Sequence, residues 1–307
     1  MRILFISGVE LGYECCKSLL ERKTGVVGIF CYPGELKERS GYVDFSDLGK
    51  KYGVPVFKFQ DVNSAEAVSE MKGLAPDLIL VIGWSSIIGE EILKIPKKGV
   101  LGHHPTLLPK HRGNAPIPWT LINGLTRSGV TMFFLEKEVD KGEIAGQKEF
   151  DVEMDDDASS IYAKATAATV SLLSEMLPKI GNGTLKTMKQ NPGRSSRWGK
   201  RRPEDGIIDW NTMAIYLHNW IRGLTHPYPG AFTFLGERKL FIWKAEIADW
   251  KGKSGRPGEV VEAGERLVVR TGDGAIAVKK LQLEGEEEFG AKEFVERNKI
   301  RARTVLG

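Results

Sequence analysis

"MRILFISGVELGYECCKSLLERKTGVVGIFC", residues 1–31, decides the fold. "RILFIS" is a short apolar run of strand type, "ELGYECCKSLLERK" gathers its apolar residues on one helical face, and "VVGIFC" is a second apolar run. Periodicity that passes from strand to helix and back this quickly marks a βαβ unit, and with it parallel pairing. The alternation continues. "DFSDLGKKYG" and "SAEAVSEMKG" read as helices, and "DLILVIG" has the unbroken apolar character of a strand covered on both faces. "VTMFFL" and "IAGQKEFDV" read as later strands. "DASSIYAKATAATVSLLSEMLPKIG" is the longest helical pattern, with Asp157 as its cap and Gly181 near its end.

Composition changes after that helix. Residues 184–206 are polar, basic and rich in Gly and Pro, which predicts a linker. Beyond it "MAIYLHNWIRGL" reads as a helix, and the tail from Ala231 is a series of short β-like runs with Gly-bearing turns. The expected architecture is α/β. A Rossmann-like domain with a mostly parallel sheet spans 1–183, a linker spans 184–206, and a small β-rich, OB-like domain spans 207–307.

Whole-chain properties narrow the function classes. The 307 residues are 41% hydrophobic and 27% charged, with no apolar run approaching a membrane span. The first residues lack the long apolar region of a signal peptide, so a cytoplasmic protein is expected. Cys15, Cys16 and Cys31 are odd in number and form no CxxC pair, which argues against a disulfide framework or a metal site. A net charge of +4 permits anionic partners without requiring them. No GxxxxGK[ST] occurs, and "SGVELGYE" does not complete GxGxxG, which disfavours an NAD-dependent dehydrogenase.

The chemistry concentrates in "GVLGHHPTLLPKHRGNAPIPW", residues 99–119, which holds three of the five histidines. His103 and His104 are adjacent, so on a strand they face opposite ways. Taken alone, His103 reads as packing or a supporting hydrogen bond, His111 as a solvent-exposed turn residue, and His226 in "THPYPG" as lining a turn near the active-site cleft. His104 alone reads as a structural histidine, and Asp140 as a turn residue before Lys141 and Gly142.

The combination reads differently. His104 followed by "PTLLPKHRG", with "VDKGEI" further on, resembles the formyltransferases that use 10-formyltetrahydrofolate. Their signature is Asn-x-His, a small residue, Ser-Leu-Leu-Pro and shortly Arg-Gly, completed by an Asp-x-Gly turn. "RGNAPIPW", "LINGLTRSGVTMFFLEKEVDKGEI", "GKRRPEDGIIDW", "LHNWIRGLTHPYPGAF" and "GERKLFIWKAEI" are similar to family segments in the same order. The resemblance implies His104 as base and then acid, and Asp140 as the carboxylate that orients and supports it. Formyl transfer needs both, because the attacking amine must lose a proton and the departing folate nitrogen must regain one. The family's Asn, which supplies a donor to the oxyanion, falls on Gly102. Its substitutes are a backbone N–H, an ordered water, or a nearby side chain such as Asn114 or Ser86, and the absent Cβ favours the first two.

The resemblance also implies a folate site in two loops, matching Ser86, Ile87 and Ile88 after the apolar strand, and Glu136, Lys137, Glu138, Val139 and Asp140. Asn114, which is Arg in the sugar-modifying relatives, is a further contact. Ile87 and Ile88 divide evenly between packing and pterin contact. No metal is implied. For the acceptor, an amino sugar carried on a nucleotide is the expectation. "CYPGELKERSGYVD" is shorter than the basic insertion of the tRNA enzymes, and Lys37 and Arg39 are balanced by Glu35 and Glu38. Arg201 and Arg202 would then grip a diphosphate. Methionyl-tRNA formyltransferase is the alternative, and a non-catalytic folate- or nucleotide-binding homologue the third reading.

Overall fold

The computed structural model describes residues 1–36, 41–250, 252 and 255–307, and it divides into two compact units. Lys37, Glu38 and Arg39, which entered the charge argument for the acceptor, lie outside the described residues.

The first unit comprises residues 1–116, 127–151 and 162–199. Its elements run β1 (Ile3–Ile6), α1 (Glu10–Glu21), β2 (Val26–Cys31), α2 (Ser46–Tyr52), β3 (Val56–Lys58), α3 (Ala65–Gly73), β4 (Leu78–Val81), α4 (Glu90–Leu93), β5 (Val100–His104) and β6 (Arg112–Gly113). After α5 (Pro116–Ile122), which leads out of this unit, come β7 (Arg127–Phe134), β8 (Ile144–Asp151), α6 (Ala158–Gly181) and β9 (Arg197–Trp198). The sheet has seven strands in the order β3-β2-β1-β4-β5-β7-β8. The first five are parallel, as the opening βαβ pattern predicts, whereas β7 and β8 run antiparallel.

Strand alternation sorts the core into two layers. Ile3, Phe5, Ile29, Leu80 and Leu101 pack with Leu11, Cys15 and Leu19 of α1 and with Ala165, Leu172 and Met176 of α6. Their neighbours Leu4, Ile6, Phe30, Ile79 and Val81 face the other way, against Ala67, Val68 and Met71 of α3 and Ile92 of α4. Each such aliphatic side chain, fully buried, contributes about 1.5–3 kcal/mol. α6 begins where the cap predicts: the Ser160 N–H donates to Asp157 Oδ1 at 3.0 Å, and the Asp157 N–H to Ser160 Oγ at 2.9 Å.

The predicted linker is not one. Residues 184–199 belong to the first unit: Met188 bridges to Ile144 of β8, and β9 lies parallel to β6, pairing Arg112 with Arg197 and Gly113 with Trp198. The polar composition that suggested a linker belongs to chain that packs by hydrogen bonds.

The second unit comprises residues 117–126, 152–161 and 200–307. It contains α7 (Ala214–Leu224), β10 (Ala231–Leu235), β11 (Arg238–Ile247), β12 (Val260–Ala263), β13 (Leu267–Arg270), β14 (Ala275–Leu283), β15 (Phe289–Gly290) and α8 (Ala291–Asn298). The strands pair antiparallel in the order β10-β11-β14-β13-β12, with β15 beside β14. Leu217, Ile221, Ile242, Val269, Ile276, Leu281 and Phe294 are among the side chains of its core. Of the two short stretches from before position 162, 117–126 packs against Gly223 of α7 through Pro118, Leu121 and Ile122, and 152–161 is held by Arg222, whose Nη1 donates to the Glu153 carbonyl at 2.7 Å and the Asp156 carbonyl at 2.9 Å.

Candidate active site

The site grows from the carboxyl end of β5. Gly102, His103 and His104 stand opposite Phe133, Met132 and Thr131 of β7, so the last strand residues are held from the side as well as from below. Strand order reverses between β1 and β4, and the loops leaving β4 and β5 emerge beside that reversal. In an open α/β sheet this is where ligands bind.

The two histidines face opposite layers, as the alternation requires. His103 turns to α6, where its Nε2 lies 3.0 Å from Thr169 Oγ1. That hydroxyl already donates to the Ala165 carbonyl at 2.7 Å, so the imidazole is the donor. Burial, with His104 adding, pushes the His103 pKa down to about 3. His103 is a neutral packing residue.

His104 is buried, and its Nε2 sits 2.8 Å from the His111 carbonyl. A carbonyl only accepts, so Nε2 carries the hydrogen and Nδ1 keeps its lone pair. Among the described residues Nδ1 has no hydrogen-bond partner. Burial lowers the His104 pKa below the ordinary histidine value, while the Asp140 charge and the His111 carbonyl oppose the fall. The result is a neutral imidazole at neutral pH with a free lone pair, the form a base needs.

The His111 carbonyl is presented by a stapled loop. Thr131 Oγ1 donates to the Thr106 carbonyl at 2.6 Å and accepts the Leu108 N–H at 3.1 Å. Gln147 Nε2 donates to the Leu108 carbonyl at 2.8 Å and to Thr131 Oγ1 at 2.9 Å. His111 itself is half-buried rather than exposed. Its ring lies 4.1 Å from that of Trp198, its N–H donates to Ser196 Oγ at 2.9 Å, and its Nδ1 is buried without a partner among the described residues. The expectation of a solvent-exposed His111 fails because β9 covers it.

Asp140 occupies a left-handed backbone conformation, φ 59°, and its Oδ2 accepts the Gly113 N–H at 3.0 Å. His111, Gly113 and Ala115 also have positive φ, at 61°, 102° and 50°. Such conformations cost energy and persist only where surroundings impose them, which is the habit of working sites. Gly142 closes the Asp-x-Gly turn by steric necessity, since a Cβ there would lie 1.7 Å from the Phe134 carbonyl oxygen.

Gly102 corrects one expectation. A Cβ there would lie 2.3 Å from Leu135 Cδ2 and 3.0 Å from Leu135 Cγ, so a side chain occupies the space expected to be open. Gly102 is present because Leu135 packs across it. One polar side chain beside the turn remains uncommitted: Asn114, half-buried next to Gly113, makes no hydrogen bond through its carboxamide among the described residues.

The two loops matched to the folate site are distinguished by burial. Ile87 is 70% exposed, Ser86 is exposed, and Ile88 is buried in the core. The even division between packing and contact thus falls with Ile88 packing and Ile87 available. Asn63 pins this loop, donating to the Ile87 carbonyl at 2.9 Å and accepting the Gly89 N–H at 2.7 Å. Glu136, Lys137, Glu138 and Val139 are exposed on the second loop, and Lys137 reaches Glu90 at 2.9 Å. Glu138 pairs with Lys141. Trp84, which sequence reasoning missed, stacks on Tyr32 at 3.8 Å and buries an indole N–H that has no partner among the described residues. An aromatic directly after the apolar strand was the available signal. Gln147, Thr131 and Gln190 were missed as well, because polar residues in a strand or a basic loop carry no pattern of their own.

Arg201 and Arg202 lie in the second unit. The Arg201 guanidinium is 5.0 Å from the Trp119 ring and 4.5 Å from the Trp220 ring, and donates to the Asp205 carbonyl at 2.8 Å. The Arg202 N–H donates to Asp205 Oδ2 at 2.7 Å in a capped turn. Arg201 is thus occupied in packing rather than held out for a diphosphate. His226 is exposed, stacked on Trp243 at 3.9 Å, with Nε2 2.6 Å from Glu288.

A neutral histidine whose Nδ1 has no partner among the described residues, a carboxylate near it, and flanking loops at a sheet switch point make an arrangement able to take up and return a proton. The chain belongs to the formyl transferase family: its residues 1–177 match the formyl transferase domain and 200–299 the formyl transferase C-terminal domain. It is 34% identical over 310 residues, the whole of both chains, to the methionyl-tRNA formyltransferase of Caldanaerobacter subterraneus subsp. tengcongensis. It is 32% identical to that of Geobacter sulfurreducens, over all of this chain and 97% of the other. Among solved structures, the N-formyltransferase of Helicobacter canadensis, in complex with folinic acid and dTDP-3-aminofucose, shares the fold. Its TM-score is 0.69 at 17% identity, over 94% of this chain and 100% of that one.

Proposed function

We propose that the protein transfers the formyl group of 10-formyltetrahydrofolate to the amine of methionyl-tRNA. The observation that carries the acceptor is the match, end to end and at 30–34% identity, to relatives that bear that name. It favours that acceptor over the amino-sugar nucleotide expected from the sequence. That expectation leaned on Arg201, which is stacked between two indoles, and on a loop whose central residues lie outside the described ones.

In the proposed reaction the amine attacks the formyl carbon and its proton passes to His104 Nδ1. Asp140 stabilises the imidazolium that forms, and the same proton is returned to the departing folate nitrogen. Ser86, Ile87 and the 136–139 loop border the folate. Asn114 supplies the carboxamide donor to the oxyanion that Gly102 cannot, since it is the uncommitted polar side chain beside the turn.

The test is incubation with 10-formyltetrahydrofolate and, separately, charged initiator tRNA and a panel of nucleotide-linked amino sugars. Formyl-methionyl-tRNA is the expected product. Formylation of a sugar with none of the tRNA would overturn the acceptor, and absence of any product despite folate binding would favour a non-catalytic homologue.

A further inference from the structure

Gln190 lies in the segment that reads as a linker, yet its carboxamide makes four contacts inside the site. Nε2 donates to the Asp140 carbonyl and to the Gly142 carbonyl, each at 2.8 Å. Oε1 accepts from Arg112 Nη2 at 2.6 Å and from Arg112 Nε at 3.2 Å. Both ends of the amide are therefore used: a carboxylate could accept from Arg112 but could not donate to the two carbonyls. One end ties down the turn that carries Asp140 in its left-handed conformation. The other holds buried Arg112, the residue before Gly113, whose N–H binds the Asp140 carboxylate. The side chain and the main chain of Asp140 are thus fixed through a single residue that touches neither histidine nor carboxylate.

We propose that Gln190 is the positioning residue that holds the Asp140 carboxylate in register with His104. The inference rests on the reading of His104 as the proton-transferring base. Three features support a role in register rather than bulk stability. The contacted carbonyls flank the strained turn rather than lie in a regular ladder. The guanidinium is buried, so without Oε1 two of its donors lose their partner. And β9, a few residues on, pairs with β6 through Arg112 and Gly113, so the segment bearing Gln190 and the strand bearing the Asp140 donor move together.

The charged and titratable groups around His104 are Asp140 from the β7–β8 loop, His111 from the loop after β5, on which Lys110 in turn acts, and His103 behind it on β5. Arg112 acts through Gln190. Only Asp140 raises the His104 pKa by its charge. If Asp140 drifts, that support weakens, so the neutral form of His104 persists to lower pH.

The experiment compares wild type with Gln190→Ala and Gln190→Glu in two readouts. The first is kcat against pH with the acceptor the wild type uses. The second is the titration of His104 followed by NMR on histidine-labelled protein, with His104→Ala giving the assignment. Gln190→Ala is expected to lose roughly tenfold in kcat, about one buried hydrogen bond's worth of transition-state register, with little change in KM. The acidic limb and the His104 titration should both move to lower pH. Gln190→Glu keeps the Arg112 acceptor but sets a carboxylate oxygen against the two carbonyls, so it should not restore kcat, and its acidic limb and His104 titration should move as those of Gln190→Ala do. If both variants lose stability while the pH limb and the titration stay at wild-type values, Gln190 is merely structural and the inference is overturned. Should the wild type formylate no acceptor, the proposed function fails. The NMR titration then still decides this one, because it needs no turnover.

Discussion

Adjacent histidines in one strand separate into two chemistries because the sheet has two faces. His103 hydrogen-bonds α6, and His104 keeps a lone pair beside Asp140. Asp140→Asn keeps the shape and removes the charge that raises the His104 pKa. The base must be neutral to work, so the acidic limb of the kcat profile should shift to lower pH while kcat itself falls. An unmoved limb would separate Asp140 from His104. His103 has the opposite use for its titration. Its folded pKa of about 3 lies below the unfolded value, so the folded state binds fewer protons between the two. Its contribution is fully present above about pH 6.5 and is lost as the pH falls toward 3. His103→Gln preserves a contact to Thr169 without a titrating group. Its urea midpoint should therefore vary less steeply with pH across that window than the wild type's. Equal slopes would show that His103 is not the group responsible.

At the scale of elements, the loop between β5 and β6 is made functional by two side chains from the antiparallel strands. Thr131 and Gln147 hold Thr106 and Leu108, and the loop in turn delivers the His111 carbonyl to His104. Thr131→Val is nearly isosteric but strands the Thr106 carbonyl and the Leu108 N–H. It should cost about 1–3 kcal/mol in denaturant unfolding and lower turnover with it. Wild-type stability would mean that the staple is dispensable. Much of this architecture was legible. The βαβ pattern gave parallel strands, and Asp157 marked the start of α6. The antiparallel turn of β7 and β8 was not legible, because strand direction leaves no periodicity. Nor was the return of residues 184–199 to the first unit, since hydrogen bonds made by Gln190 and Ser196 look like solvated polarity in a sequence. At the site, the flanking motifs paired His104 with Asp140, and the structure brings the Asp140 charge to bear on His104. Gly102 was misread because the side chain that fills its missing Cβ, Leu135, comes from the end of a neighbouring strand.

For the molecule as a whole, the boundary between units crosses the chain five times, so neither unit is a contiguous stretch of sequence. The second unit draws Ile117–Thr126 and Val152–Ile161 from either side of β7 and β8, between segments that build the site. A cut at residue 183, where composition suggests one, would remove Gln190, Ser196 and Trp198 from the site they complete. Everything proposed here for the molecule turns on formyl transfer with His104 carrying the proton. Its most direct measurement is the transfer of an isotopically labelled formyl group from 10-formyltetrahydrofolate to methionyl-tRNA, with wild type and His104→Ala side by side and donor binding measured on both. Labelled formyl-methionyl-tRNA is expected from the wild type, and from His104→Ala a loss of roughly a hundredfold or more with donor affinity kept. Equal rates from the two proteins would contradict a proton-carrying His104.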